Sequence, residues 1–257
     1  MRVFDAHLHI IDPAHPLVEN NGYLPEGFTV PDYRARIASL SDLGMDVSGG
    51  AVVSGSFQAF DQGYLIDALS RLGPSYVGVT QIPADTPDST IRELADAGVR
   101  AIRFNIARGG SAPIEDMESL ARRVHDVAGW HSEFYVDARR LDHLGERIAA
   151  LPAASIDHLG MHADGLTELL RLVEHGVKVK ATGFGRVELD PARVIRAIVD
   201  VDPSALMVGT DLPSTRAARP FADSDFELIR RTLRPSEVDA VFWGNAAEFY
   251  LGGAAAR

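Results

Sequence analysis

The sequence predicts an α/β fold: a single, somewhat distorted (β/α)8 TIM barrel spanning residues 1–257. Three observations predict it. Eight short apolar runs recur along the chain, amphipathic stretches lie between most of them, and no low-complexity linker or repeat interrupts the alternation. Strand–helix alternation implies a parallel sheet covered by helices, and eight units imply closure into a barrel. An open doubly wound sheet is the competing architecture. It would place a Gly-rich phosphate turn after the first strand, where this chain has Asp5-Ala-His-Leu-His9.

Strands are expected at Arg2–Ile10, Gly50–Ser56, Ser75–Ile82, Val99–Asn105, Glu133–Asp137, Ser155–Leu159, Val177–Thr182 and Leu206–Asp211. Helical periodicity covers Asp32–Leu43, Tyr64–Leu72, Thr90–Ala97, Ile114–Ala128, Leu141–Leu151, Leu166–Glu174, Pro191–Val201 and Phe226–Leu233. The segment from Asp12 to about Val47 carries His-Pro, Asn-Asn-Gly and Leu-Pro-Glu-Gly ahead of its helix. As a long first βα loop it would lie over the C-terminal face, where barrel active sites sit. Leu212–Asp223, after the last strand, is a second candidate wall. A terminal helix capped by Ser236, with Glu237 near its start, leads into Phe-Trp-Gly-Asn-Ala-Ala-Glu-Phe-Tyr250, which reads as closing packing.

Composition narrows the function. Hydrophobic residues at 46% and charged residues at 24% can fill a large core. The absence of cysteine excludes disulfides, thiolate metal sites and a cysteine nucleophile together. A formal charge of −11 argues against nucleic acid, which needs clustered Lys and Arg. No basic leader and no membrane-length apolar run is visible, so a cytoplasmic location is expected. Lys178 and Lys180 are the only lysines, so positive charge is nearly all arginine, which suits bidentate binding of carboxylates. The expected partner is a small anionic molecule; homo-oligomerisation is left open.

Alternation puts Val3, Asp5, His7 and His9 on one face of the first strand and Phe4, Ala6, Leu8 and Ile10 on the other. Two imidazoles at the end of a strand can hold a metal or polarise a carbonyl, with Asp5 available to orient a ring. The sixth strand ends in Asp157-His158-Leu159-Gly160 and the eighth in Gly209-Thr210-Asp211. A lone histidine at such a point is more often structural. Three strand ends converging on His, His and Asp point instead to a site. Arg103 and Asn105 share a face of the fourth strand, Arg108 follows, and Arg186 follows the seventh. A buried arginine needs an anion. At Arg103 and Arg186 a substrate carboxylate is expected, with an internal one such as Asp137 as the alternative. Without a Gly-x-Ser-x-Gly elbow, Ser56 is expected to hydrogen-bond substrate rather than attack it. His125, His131, His143, His162 and His175 take structural or surface readings.

Asp-x-His-x-His on the first strand and Gly-Thr-Asp on the eighth resemble the amidohydrolase superfamily. Asp-His-Leu-Gly, Val-Arg-Ala-Ile-Arg-Phe-Asn and Gly-Thr-Asp-Leu-Pro-Ser-Thr-Arg resemble its branch of 2-pyrone-4,6-dicarboxylate and sugar lactonases. That resemblance implies that His7, His9 and His158 polarise a lactone carbonyl or bind one divalent metal, and that Asp211 activates water. It also implies substrate contacts at Arg103, Arg186, Ser56, Tyr23 and Tyr135. Arg108 is one position out of register with a further arginine of the branch. Strands four and five offer no lysine for a bridging carbamate, so a two-metal site is not expected.

The reading that results is hydrolysis of a small anionic lactone. Asp211 is the general base, His7, His9 and His158 stabilise the oxyanion, and Arg103 and Arg186 hold carboxylates. No cofactor is required on this reading; the alternative is one Zn²⁺ or Mn²⁺ held by His7, His9, His158 and Asp211. The competing functions are a metal-dependent decarboxylase of an aromatic or unsaturated acid and a non-catalytic barrel that binds an organic acid.

Overall fold

A computed structural model describes residues 1–252 and shows eight parallel strands paired in sequential order. The strands are β1 (Arg2–Leu8), β2 (Asp46–Val53), β3 (Tyr76–Thr80), β4 (Val99–Asn105), β5 (His131–Tyr135), β6 (Ala154–Ile156), β7 (Lys178–Ala181) and β8 (Leu206–Val208). The helices are α1 (Val30–Ala38), α2 (Gly63–Leu72), α3 (Asp88–Asp96), α4 (Met117–Ala128), α5 (Leu141–Ala149), α6 (Leu166–Glu174), α7 (Pro191–Val201), α8 (Asp223–Thr232), α9 (Pro235–Asp239) and α10 (Asn245–Leu251). Alternation and closure follow the expected (β/α)8 plan. No helix among the described residues is long and apolar enough to cross a membrane.

The ring closes between its first and last strands. The Asp211 amide donates to the His7 carbonyl and the His9 amide to the Leu212 carbonyl, both at 2.7 Å. Asp5 ties the same seam. Its carboxylate accepts from the Thr210 amide (2.8 Å), the Thr210 hydroxyl (2.6 Å) and Tyr33 of α1 (3.0 Å).

That placement corrects the expected face of β1. The pairing of β1 with β2 slips between Asp5 and Leu8. A bulge reverses the parity of every side chain beyond it. Phe4 and Ala6 therefore pack inside the barrel with Val53, Val79 and Met207, while Val3 and Leu8 join the layer under the helices. Asp5 orients no imidazole; it faces α1 and β8.

Burial raises the Asp5 carboxyl from 3.8 to about 6 against its hydrogen bonds. An acid raised in the folded state favours folding below its unfolded value and loses that advantage as the pH rises through the folded one. Asp5→Ala strands four donors, the His7 amide being the fourth, and is expected to cost about 3 kcal/mol. Denaturant midpoints should show a wider gap from wild type at pH 4.5 than at pH 7.5. A gap that widens with rising pH would refute the latch.

The base of the barrel is closed by α10. Trp243, Ala246, Ala247 and Tyr250 fill the inner end, and Asn245 donates to the carbonyls of Pro203 and Leu206 at 2.8 Å each. The tail is closing packing in this literal sense. The preceding helix starts one residue before Ser236. Pro235 takes the first helical position, where an amide is not needed, and Glu237 accepts from the Arg234 amide at 2.7 Å.

Candidate active site

At the opposite end, the βα loops form a pocket lined by His9, Ser56, Arg103, Asn105, Arg108, Tyr135, His158, Arg186, Asp211, Thr215 and Arg216. His7 lies directly beneath, with its ring 5.1 Å from His9 and 4.9 Å from His158. The structure thus brings together the four residues singled out on strands one, six and eight.

Two of them sit on strained backbone. His158 has φ 54° and Asp211 φ 59°, in the left-handed region that side chains with a Cβ avoid. Leu159, Gly160 and Met161 continue the left-handed run, so β6 stops at Ile156, short of the expected Leu159. The reversal brings adjacent Asp157 and His158 both toward the barrel axis, which a strand would not permit. Such strain costs about 1–3 kcal/mol per residue and clusters at functional sites.

His9 and His7 turn their Nδ1 atoms to different partners. His9 Nδ1 lies 2.6 Å from the Val53 carbonyl, which can only accept, so that nitrogen carries a proton. His7 Nδ1 faces Asp157 Oδ1 at 3.2 Å. The Nε2 atoms of both rings lie 3.7 Å from Asp211 Oδ1. Burial, only partly offset by Asp157, pushes His7 down to about 4, and burial pushes His158 well below its ordinary value. His7 and His158 can therefore serve as neutral polar groups near pH 7.

Arg103 and Arg186 already hold carboxylates of the protein. Arg103 donates to Asp157 Oδ2 (2.9 Å) and the Ser54 carbonyl (2.7 Å). Arg186 donates through Nε to Asp211 Oδ2 at 2.9 Å, and its second nitrogen reaches the same oxygen and the Thr215 carbonyl. Asp137 serves neither; it pairs with Arg139. Burial opposes the charge on Asp211, but Arg186 and His158 outweigh it and hold the carboxyl well below the usual range.

Ser56 and Tyr135 line the pocket, and Tyr135 packs edge-on to His158. Tyr23 stands at its rim in the first loop, beneath the Arg216 guanidinium at 4.3 Å. Asn20 of that loop donates to the Arg108 carbonyl and accepts from Arg216. Neither Arg108 nor Arg216 forms an ion pair among the described residues, and burial together with the Arg108 charge pushes Arg216 down.

Two contributors escaped the sequence reading. Asp157 gave no signal because alternation puts it opposite His158. Arg216 was visible in Gly-Thr-Asp-Leu-Pro-Ser-Thr-Arg, but nothing placed it at the pocket.

The donor set fits one divalent ion. Both ring nitrogens of His7 and Asp211 Oδ1 are buried without a hydrogen-bond partner among the described residues, and donor atoms of His7, His9 and Asp211 lie within 4.8 Å of one another. His158 falls in a separate such group with His7 and Asp157. Lys180 is bonded to Glu133 and is not placed as a bridging ligand.

A parallel barrel with His-x-His on β1, a histidine after β6 and an aspartate after β8 defines an amidohydrolase-type site. The chain belongs to the amidohydrolase family, whose profile matches residues 4–251. It is similar to a 2-pyrone-4,6-dicarboxylate hydrolase of Comamonas testosteroni, 28% identical over 161 residues, which are 61% of this chain and 51% of that protein. It is also similar to a 4-sulfomuconolactone hydrolase of Hydrogenophaga intermedia, 24% identical over 260 residues, covering 91% and 83% of the two chains. The fold matches a solved Acinetobacter baumannii structure described as a probable 2-pyrone-4,6-dicarboxylic acid hydrolase. The TM-score is 0.80 at 18% identity over 97% of this chain and 99% of that one.

Proposed function

We propose that this barrel hydrolyses a small lactone bearing at least one acidic group. The observation that carries the reading is the charge balance of the pocket. Four arginines line it, and two of them, Arg108 and Arg216, have no carboxylate to answer them among the described residues. An anionic substrate supplies what is missing. The names of the relatives supply the bond: both act on lactones.

In the mechanism we propose, a substrate carboxylate draws Arg186 away from Asp211. The carboxylate then recovers its basicity, takes a proton from water and returns it to the leaving alkoxide or enolate oxygen. His9 and His158 flank the carbonyl oxygen as negative charge builds on it, and the Nε2 atom of His7 faces the Asp211 oxygen that takes up the proton. Arg108 and Arg216 fix the acidic end, and Ser56 and Tyr135 hydrogen-bond the ring. A divalent ion held by His7, His9 and Asp211 would polarise the same carbonyl when bound. The reading adopted assigns that task to the imidazoles, because the Arg186 charge on Asp211 disfavours a second cation there.

A panel of carboxylated pyrones and aliphatic lactones, followed by UV absorbance on ring opening, tests the reading. Turnover of anionic members is expected, and chelator-treated protein should keep full activity. Loss restored only by Zn²⁺ or Mn²⁺ would transfer polarisation to a metal. Silence across the panel, with CO2 release from aromatic acids, would replace the lactonase with the decarboxylase.

A further inference from the structure

Beneath the pocket, where barrel interiors usually carry aliphatic layers, lies a cluster of four ions. Asp157, Glu133 and Lys180 are wholly buried and Arg103 nearly so. Lys180 Nζ donates to Glu133 Oε2 and stands 3.3 Å from Asp157 Oδ1. The other Glu133 oxygen accepts from Tyr250 of α10 and faces His131 Nε2 at 3.1 Å. The signs balance, two carboxylates against two cations. Burying such groups costs several kcal/mol per ion, and apolar packing of equal volume is often as stable. Stability alone does not account for the cluster.

Its geometry suggests what does. Asp157 divides its oxygens, giving Oδ2 to Arg103 and turning Oδ1 to within 3.2 Å of His7 Nδ1, a close approach short of hydrogen-bond geometry at both atoms. Arginine and carboxylate prefer to pair through two parallel bonds. Arg103 Nε is buried without a partner, ready to take the second oxygen. Lys180 stands on Oδ1 and opposes that turn, and Glu133 fixes where the ammonium sits.

We propose that Lys180 and Glu133 are positioning residues. They reserve Asp157 Oδ1 for His7, so that the ring keeps its proton on Nδ1 and presents a bare Nε2 toward Asp211. The kinetic consequence rests on the hydrolase reading above; the state of the ring does not. Neither residue lines the pocket, so they act through Asp157 and not on substrate.

Histidine ¹⁵N NMR of the whole protein at pH 7, with His7 assigned by the His7→Asn spectrum, reads the ring without any turnover. Wild type is expected to show a single Nδ1–H form at His7; an Nε2–H form or a mixture would overturn the proposal. The test variant is the double substitution Lys180→Met with Glu133→Gln, which removes one charge of each sign. We expect a thermal midpoint near wild type, an unchanged KM, kcat lower by about 10- to 100-fold, and mixed His7 tautomers. Lys180→Met alone should be far less stable, since it leaves Glu133 uncompensated. A folded double variant with the wild-type His7 spectrum overturns the proposal whatever its kcat. If the double variant does not fold, the nearly isosteric Glu133→Gln decides. It should loosen Lys180 and broaden or split the His7 signals, and an unchanged spectrum would overturn the idea. Absence of lactone turnover with the expected His7 spectra would sink only the hydrolase reading.

Discussion

Asp211→Asn is expected to reduce kcat by about 10²- to 10⁴-fold, the usual worth of a general base, without raising KM. The substitution keeps the shape of the side chain and removes its ability to take a proton. It also releases Arg186, whose Nε now spends itself on Asp211 Oδ2 at 2.9 Å. A guanidinium freed from that carboxylate is available to the substrate from the start, so affinity should hold or improve. The substrate-free variant should be destabilised, because removing one partner of a buried pair costs about 3–5 kcal/mol. Saturating substrate should restore much of the lost thermal midpoint by mass action. Steady-state kinetics and melting curves with and without substrate check both halves. Full turnover in the variant would remove Asp211 from the chemistry.

Gly183→Ala should nearly silence the site through a single methyl group. Gly183 has φ +64°, and a Cβ there would come 2.5 Å from His158 Nδ1 and 3.0 Å from Arg186 Nε. One of the two must yield, and a displacement of about 1 Å in a catalytic constellation costs roughly 10²-fold in rate. The control is Gly176→Ala. Its φ of +85° carries similar backbone strain, but nothing lies within 4 Å of the added carbon. Both variants should lose about 1–2 kcal/mol of stability, and only Gly183→Ala should lose activity. Equal kinetic losses would mean that backbone strain, not contact with His158 and Arg186, is responsible.

The barrel was legible because its two periodicities are strong: apolar strand runs at β2–β5 and β7 alternate with one-sided helices such as α6 and α7. His7, His9, His158 and Asp211 were legible because each stands where a strand gives way to a loop. What stayed hidden depends on phase rather than composition. A one-residue slip in β1 moves Asp5 out of the site, and a left-handed turn after Ile156 moves Asp157 in. Neither event leaves a mark that a period-two pattern can register. The anions of Arg103 and Arg186 were hidden for a related reason. Asp157 and Asp211 are far from them in the chain and meet them only after closure.

The plug formed by α10 sets an order on assembly. All eight strands precede Asn245–Leu251 in the chain, yet Tyr250 touches Glu133 on β5 and stacks on Phe4 of β1. As the ribosome delivers this polypeptide, the sheet can curl before the residues that stopper it exist, leaving Lys180, Glu133 and Asp157 open to water from below. A turn of helix that emerges only after every strand is then the one that dries the interior. A nascent barrel would acquire its working electrostatics only after its strands are made, and a chain cut short before residue 245 would hold every strand and every site residue without them.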